Sequence, residues 1–196
     1  MKYLFILASY LFGSIPTGYL LVRWTGRKDV RDFGSRSTGA TNVLRVGGWK
    51  SALPVAVFDI FKGFLPVFLA LRLFDEPRLA AVCGFAAVVG HCYPFAIGFR
   101  GGKGVATAAG ALLAIAWLPC LACLGLFLVV VGTTRIVSLG SILAALAFPA
   151  VFLAAGGRGD VAAVALALAA LIVFRHRANI GRLVKGTERK LGEKTT

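Results

Sequence analysis

Three short polar segments of this chain carry the residue types and spacings that can hold an oxyanion. The first, residues 31–48, reads RDFGSRSTGATNVLRVGG and joins glycines and hydroxyls to Asn42 and Arg45. Glycines let backbone N–H groups approach an anion closely, and phosphate is favoured at the start of a helix. Ser37 or Thr38 is placed to cap such a helix, on which Asn42 and Arg45, three apart, share one face. Ser35, Ser37, Gly39, Asn42 and Arg45 are therefore candidate phosphate ligands. The competing reading is a solvated basic loop that fixes orientation and grips anionic lipid, and it suits Arg23, Arg27 and Lys28 better.

The second segment, residues 98–104, reads GFRGGKG and leads directly into a short apolar helix. It is no Walker A motif, because a glycine follows Lys103 where a Mg²⁺-binding hydroxyl is required. A lysine among Gly101, Gly102 and Gly104 at a helix N-terminus is nonetheless phosphate-binding chemistry. A flexible turn carrying a topology charge is the alternative, and for Arg100 the two readings balance. The third segment, FRHRANIGR, places His176 and Asn179 at i, i+3 on a helix leaving the last apolar run. His176 is then a general base, a donor to a substrate phosphate, or an interfacial side chain. Ser138 and Ser141 add hydroxyls at the start of the sixth apolar run.

Asp59 and Lys62, inside an apolar run, have the spacing of a mutual ion pair, which intramembrane charges need. They read as a structural pair beside the site, and His91 reads as a core histidine. The only acids near the three segments before the C-terminal tail are Asp29 and Asp32, too few for a metal-dependent phosphotransfer centre, so no metal and no cofactor are expected. No acid follows a histidine by four residues, which excludes a His-Asp acyltransferase arrangement.

These groups must be positioned by apolar elements. Of 196 residues, 58% are hydrophobic and 15% charged, with mean hydropathy +0.83, which excludes an ordinary soluble domain. Apolar runs fall at 3–22, 51–71, 79–99, 105–118, 119–131, 136–155 and 161–174. They predict an all-α integral membrane protein, a compact bundle of about seven transmembrane helices, some short, with motif loops on one face. The last run, 161–174, would reach only about 21 Å. The first run continues to Val22 without a cleavage signal and reads as a retained span. Cys83, Cys92, Cys120 and Cys123 read as packing residues.

The stretch 105–131 is either one tilted helix or a hairpin broken near Trp117, Leu118 and Pro119. Net charge is +14, from 22 Lys and Arg against 8 Asp and Glu. With a hairpin, Lys2, Arg72, Arg78 and Arg158 share one side, while every other basic residue except Lys62 lies on the side of the three motifs. A single helix would divide them almost evenly. The positive-inside rule favours the hairpin, with the N-terminus outside, the C-terminus cytoplasmic and all three motifs at the cytoplasmic face.

Three basic, glycine- and hydroxyl-rich segments at an interface suit a substrate with a phosphate head in water and an acyl chain in lipid. An anion transporter is the rival reading, but it calls for inverted repeats and charges near the midplane of several spans. A non-enzymatic assembly subunit has no need of the clustered Gly, Ser, Asn, His and Lys. GSRSTGATNVLR, the D-x-x-K-G of the second span, GFRGGKGVAT and RHRANIGRL together resemble the bacterial acyl-phosphate:glycerol-3-phosphate acyltransferase family, in order along nearly the whole chain.

That resemblance implies one transmembrane acyltransferase domain over residues 1–196, in the bacterial inner membrane. It implies transfer of a fatty acyl group from acyl-phosphate to the 1-position of glycerol 3-phosphate, giving lysophosphatidic acid and inorganic phosphate. Arg45, Lys103, His176 and Asn179 become the catalytic candidates. Ser35, Ser37, Gly39, Asn42, Gly101, Gly102, Gly104, Ser138 and Ser141 become the phosphate-binding ones. The partners implied are the two substrates and the bilayer, with no nucleic acid.

Overall fold

The structure, a computed structural model, describes residues 1–26 and 28–193; Arg27 and Lys194, both assigned above to the motif side, lie outside the described residues. Among the described residues there are nine α-helices, two short 3₁₀ turns and no strands. The helices are α1 (Lys2–Gly13), α2 (Thr17–Gly26), α3 (Ala40–Phe74), α4 (Pro77–Cys92), α5 (Val105–Ile115), α6 (Trp117–Thr134), α7 (Val137–Ala154), α8 (Gly159–Arg175) and α9 (Arg177–Val184).

Every apolar run is helical, but the runs are not seven equal spans. Five stretches are long and apolar enough to cross a membrane: α1 with α2, α3, α4 with the turn after it, α6 and α7. The α8 helix, 17 residues against the 14 expected, joins them if taken with α9, which leaves it at 61°. The added residues are Gly159 and Asp160 at the start and Arg175 at the end, an acid in the first turn and a base in the last, as the helix dipole favours. Only α5, at 11 residues or about 16 Å, stays well short of the hydrocarbon thickness.

Breaks follow the backbone chemistry. Pro16 separates α1 from α2, because a proline drives the residue before it out of helical geometry. The short helix expected after Ser37 or Thr38 starts at Ala40 and joins the apolar run as α3, kinked at Gly48, φ 72°, where the motif loop meets that run. Between α5 and α6 the break is at Ala116, just before the expected Trp117–Pro119 stretch. Pro119 sits in the first turn of α6, where its missing N–H costs nothing. The chain doubles back there: Cys120 Sγ lies 3.5 Å from the Ala109 carbonyl oxygen. A continuous helix would hold those residues about 16 Å apart, so α5 and α6 form a hairpin.

Small residues set the closest approaches. A Cβ on Gly63 would fall 1.9 Å from the Thr107 carbonyl oxygen, and one on Gly110 would fall 1.9 Å from that of Ile60. These two glycines let α3 and α5 pack backbone to backbone, as small residues do between membrane helices. The α4 helix packs on α1, α3, α5 and α8; α8 leads to α7 and α7 to α6. A groove is left between α5 with α3 on one side and α6 with α7 on the other. At one end of the bundle, Lys2 pairs with Glu76, joining the chain's start to the α3–α4 turn. The polar segments gather at the other end.

Candidate active site

Asn42 organises the first segment. Its Nδ2 donates to the carbonyls of Val30 (2.9 Å), Phe33 (3.1 Å) and Ser37 (2.9 Å), and its Oδ1 accepts the Ser35 N–H at 2.8 Å. With 1% of its surface exposed and its amide fully engaged, Asn42 holds the loop rather than presenting a free amide to an anion. Asn42 is also among the pocket-lining residues, with its amide committed to the loop. The expected Ser37 or Thr38 cap is also absent: Gly39 is the N-cap, and its N–H donates to Ser37 Oγ at 3.3 Å. Ser35, Ser37, Gly39 and Arg45 are thereby set on the wall of a pocket.

In the second segment, the N–H groups expected to cradle phosphate are partly spent. Gly101 donates to the Cys92 carbonyl at 3.2 Å and Gly102 to that of His91 at 3.1 Å, and neither glycine lines the pocket. Their role is close packing, since a Cβ on Gly102 would fall 2.0 Å from His91 Nε2. The loop so anchored delivers Lys103 and Gly104 to the pocket wall. Arg100 is not among the pocket-lining residues.

Two arginines tie the segments together. Arg31, paired with Asp29, donates to the Ile97 carbonyl at 2.8 Å, linking the first segment to the second. Arg175 stacks on Tyr93 and donates to Gly102 O at 2.8 Å and Gly101 O at 3.2 Å, linking the third to the second. His176 is the hinge between α8 and α9, its Nδ1 2.8 Å from the Ile172 carbonyl oxygen. A carbonyl only accepts, so Nδ1 carries the proton and Nε2 keeps the lone pair.

Arg45, Lys103, His176, Asn179, Ser138 and Ser141, remote in sequence, line this one cavity of about 490 Å³. Asp59 reaches it too, paired with Lys62 at 2.8 Å. Lys62 itself is buried behind the wall, donating also to the Ile15 carbonyl at 2.9 Å, and His91 lies 3.5 Å from Asp59.

The sequence reading missed Glu188. This tail residue accepts hydrogen bonds from Ser138 (2.8 Å), Asn179 (2.5 Å) and Arg182 (2.7 Å) with its side chain 5% exposed. Arg135 secures the tail further, donating to the Leu191 carbonyl at 2.7 Å. Ser138 and Asn179, expected to face substrate, thus have a carboxylate as their partner here. The available signal was one of two acids among the cations of the tail, six residues beyond Arg182.

Electrostatically the pocket is positive. Burial above all, with Arg182, Arg45 and Arg175 adding to it and Glu188 opposing it, lowers the Lys103 ammonium to about 8. Burial, followed by the charge of Lys103, brings His176 down to about 4, so its ring is neutral near pH 7. Burial acts to raise the Glu188 carboxyl, but hydrogen bonds from Asn179, Ser138 and Arg182 prevail and hold it below the usual range. Among the described residues neither Arg45 nor Lys103 has a carboxylate within 4 Å.

Away from this mouth the cavity is apolar, lined by Ala108, Leu112, Cys123, Leu124, Phe127 and Phe148 among others. A cationic mouth thus runs into an apolar groove, inside a bundle of helices apolar enough to cross a membrane. Residues 3–186 match the family described as glycerol-3-phosphate acyltransferase. The chain is 46% identical over 191 residues to the glycerol-3-phosphate acyltransferase of Synechococcus sp. (strain CC9902), covering 97% of this chain and 96% of that one. It is 45% identical over 183 residues to that of Geobacter sulfurreducens, covering 93% of each. It superposes with a TM-score of 0.93 at 38% identity, over 97% of this chain and 96% of the other, on the crystal structure of PlsY (YgiH), an integral membrane glycerol 3-phosphate acyltransferase, in its glycerol 3-phosphate form. On the lysophosphatidic acid form of that protein the TM-score is 0.90 at 36% identity, over 97% of this chain and 95% of the other. The chain belongs to the glycerol-3-phosphate acyltransferase family. It is an all-α, multi-pass integral membrane enzyme of phospholipid synthesis.

Proposed function

We propose that the acyl donor is an acyl-phosphate, the acceptor oxygen is the 1-hydroxyl of glycerol 3-phosphate, and the products are lysophosphatidic acid and inorganic phosphate. The observation that carries this reading is the pocket's pairing of two carboxylate-free cations, Arg45 and Lys103, with an apolar groove. Both substrates are phosphate anions, and one carries a lipid chain. An acyl-phosphate is already activated, so the protein has mainly to hold two anions together and to stabilise charge on the carbonyl oxygen and the departing phosphate. Lys103 and Arg45 supply that charge. Ser35, Ser37, Gly104 and Ser141 surround the phosphoryl groups, and His176 and Asn179 orient the glycerol phosphate.

In the step itself, the glycerol oxygen forms a bond to the acyl carbon, the bond from that carbon to the phosphate oxygen breaks, and the hydroxyl proton leaves. His176, whose conjugate acid has a pKa of about 4, is a weak base. A substrate phosphate, with a second pKa of about 6, is the better one and takes the proton. His176 Nε2 then serves as the hydrogen-bond acceptor for the 2-hydroxyl, which turns the 1-hydroxyl proton toward that phosphate. Residues 1–196 act as one transmembrane acyltransferase domain of the bacterial inner membrane, with the N-terminus outside and the site at the cytoplasmic face.

Purified protein incubated with radiolabelled glycerol 3-phosphate and palmitoyl-phosphate tests the reading. Radiolabelled lysophosphatidic acid formed with no added carrier supports it, and product formed only from a carrier thioester overturns it. A His176→Ala enzyme that keeps its glycerol phosphate affinity but loses at least ~10³-fold in turnover would make His176 the base instead. Cysteine labelling at positions 2 and 194 from opposite membrane faces supports the orientation, and labelling of both from one face refutes it.

A further inference from the structure

Lys103, Ser138 and His176 mark the cavity's polar mouth, and from there α5 and α7 run inward in parallel. The deepest lining residues are Leu113 on α5 and Phe148 on α7, with Cys120 on α6 beside the α5–α6 turn. From Ser138 to Phe148 is ten residues of helix, or about 15 Å. That is half the ~30 Å hydrocarbon core of a bilayer, the depth of one leaflet and so the length of one membrane acyl chain.

Along α7 the far end is floored by packed side chains, while Leu121 and Leu124 leave the α6 side of the groove exposed. Phe148 is 2% exposed and stacks on Phe152, with ring centroids 5.8 Å apart. Both belong to a buried cluster with Cys120, Cys123, Val161 and Ala165, against which Leu113 and Ile115 pack. Along the groove walls, by contrast, small residues such as Ala108, Ala109, Ala144 and Ala145 leave a channel open as far as this floor. A chain too long for the groove meets the Phe148 ring, and one too short leaves apolar wall uncovered.

We infer that Phe148, backed by Cys120 and Leu113, is the floor of the acyl subsite and sets the enzyme's chain-length preference. This rests on the proposal that an acyl-phosphate donates the chain. Replacing the ring with a methyl lengthens the channel, and filling the Cys120 position shortens it. Phe152, which supports Phe148 without lining the cavity, serves as a control for simple loss of packing.

The test is a kcat/KM profile of the purified enzyme over saturated acyl-phosphates of graded length, at fixed glycerol 3-phosphate. Phe148→Ala should move the optimum to longer chains, raising the long-to-short ratio about tenfold, the scale on which apolar pockets discriminate methylenes. Cys120→Leu should move it to shorter chains. Phe152→Ala should lower the melting temperature and leave the profile in place, and KM for glycerol 3-phosphate should hold in all three. Profiles that coincide with the wild type in both Phe148→Ala and Cys120→Leu overturn the inference, as does an equal shift in Phe152→Ala. If Phe148→Ala does not fold, Cys120→Leu decides alone. A wild-type enzyme inactive on every acyl-phosphate would instead refute the donor assignment, a result separable from an unmoved profile.

Discussion

The guanidinium of Arg175 donates to the carbonyls of Gly101 and Gly102, so the residue preceding His176 in the chain also holds the loop that carries Lys103. Two functional segments seventy residues apart are fixed to each other by one side chain, and Tyr93 fixes that side chain in turn. Lysine keeps the charge but lacks the planar fork that reaches two acceptors at once. Misplacing a reacting group by about 1 Å costs on the order of 10²-fold in rate. Arg175→Lys should therefore retain its helical circular dichroism and lose about 10- to 100-fold in kcat/KM. Wild-type kinetics would mean that the loop is held by its backbone hydrogen bonds alone.

Lys103 gives the enzyme an alkaline limit. Burial lowers its ammonium to about 8, so in the free enzyme the charge needed to bind an anion is present below that pH and lost above it. The kcat/KM profile should fall above about pH 8. A bound phosphate favours the charged form, so the corresponding limb of kcat should lie at higher pH. Arginine stays charged throughout, and Lys103→Arg, where active, should remove the limb from the kcat/KM profile.

Much of this architecture was legible in the sequence, and what was not has physical causes. The hairpin of α5 and α6 followed from the positions of Arg135 and Arg158, because membrane topology is written in charge. Convergence of Arg45, Lys103 and His176 followed from the same bookkeeping. The length of α3 did not, because Asn42, Arg45 and the Gly47–Gly48 pair interrupt the apolar pattern, so the short motif helix and the apolar run read as separate elements although they join across the Gly48 kink. The loop-holding parts of Asn42 and Gly102 were hidden for a related reason. Asparagine and glycine suit an anion cradle and a tight loop equally, and only the neighbouring carbonyls of Val30, Phe33 and His91 decide between them. Glu188 was overlooked because its partners, Ser138 and Asn179, come from separate helices.

Glu188 should tune Lys103. Its carboxylate raises the lysine's pKa, against burial and three arginines. Glu188→Gln keeps the shape and removes the charge, so the Lys103 ammonium is destabilised further and the alkaline limb of kcat/KM should move to lower pH. The same change makes the bond from Asn179 a weaker neutral one and removes the ionic partner of Arg182, which should make the tail after α9 more open to protease. Loss of activity at every pH with an unmoved limb would show that Glu188 acts on the tail alone.

Asn42 distinguishes a loop scaffold from a ligand. Its amide gives three hydrogen bonds to carbonyl oxygens and its oxygen takes one from Ser35, all in a site closed to water. Asn42→Asp replaces the donors with a second acceptor, setting a buried carboxylate against the carbonyls of Val30, Phe33 and Ser37. Each lost bond costs about 1 kcal/mol, and each buried acceptor left unpaired about 1–3 kcal/mol. The aspartate variant should therefore melt several degrees below the wild type in detergent, and below Asn42→Ala, with KM for glycerol 3-phosphate rising as Ser35 and Arg45 lose their setting. A direct phosphate ligand would behave differently: Asn42→Ala would raise KM while the melting temperature stayed in place. Measuring both quantities on the same two variants separates the roles, because only a scaffold couples the fall in melting temperature to the loss of affinity.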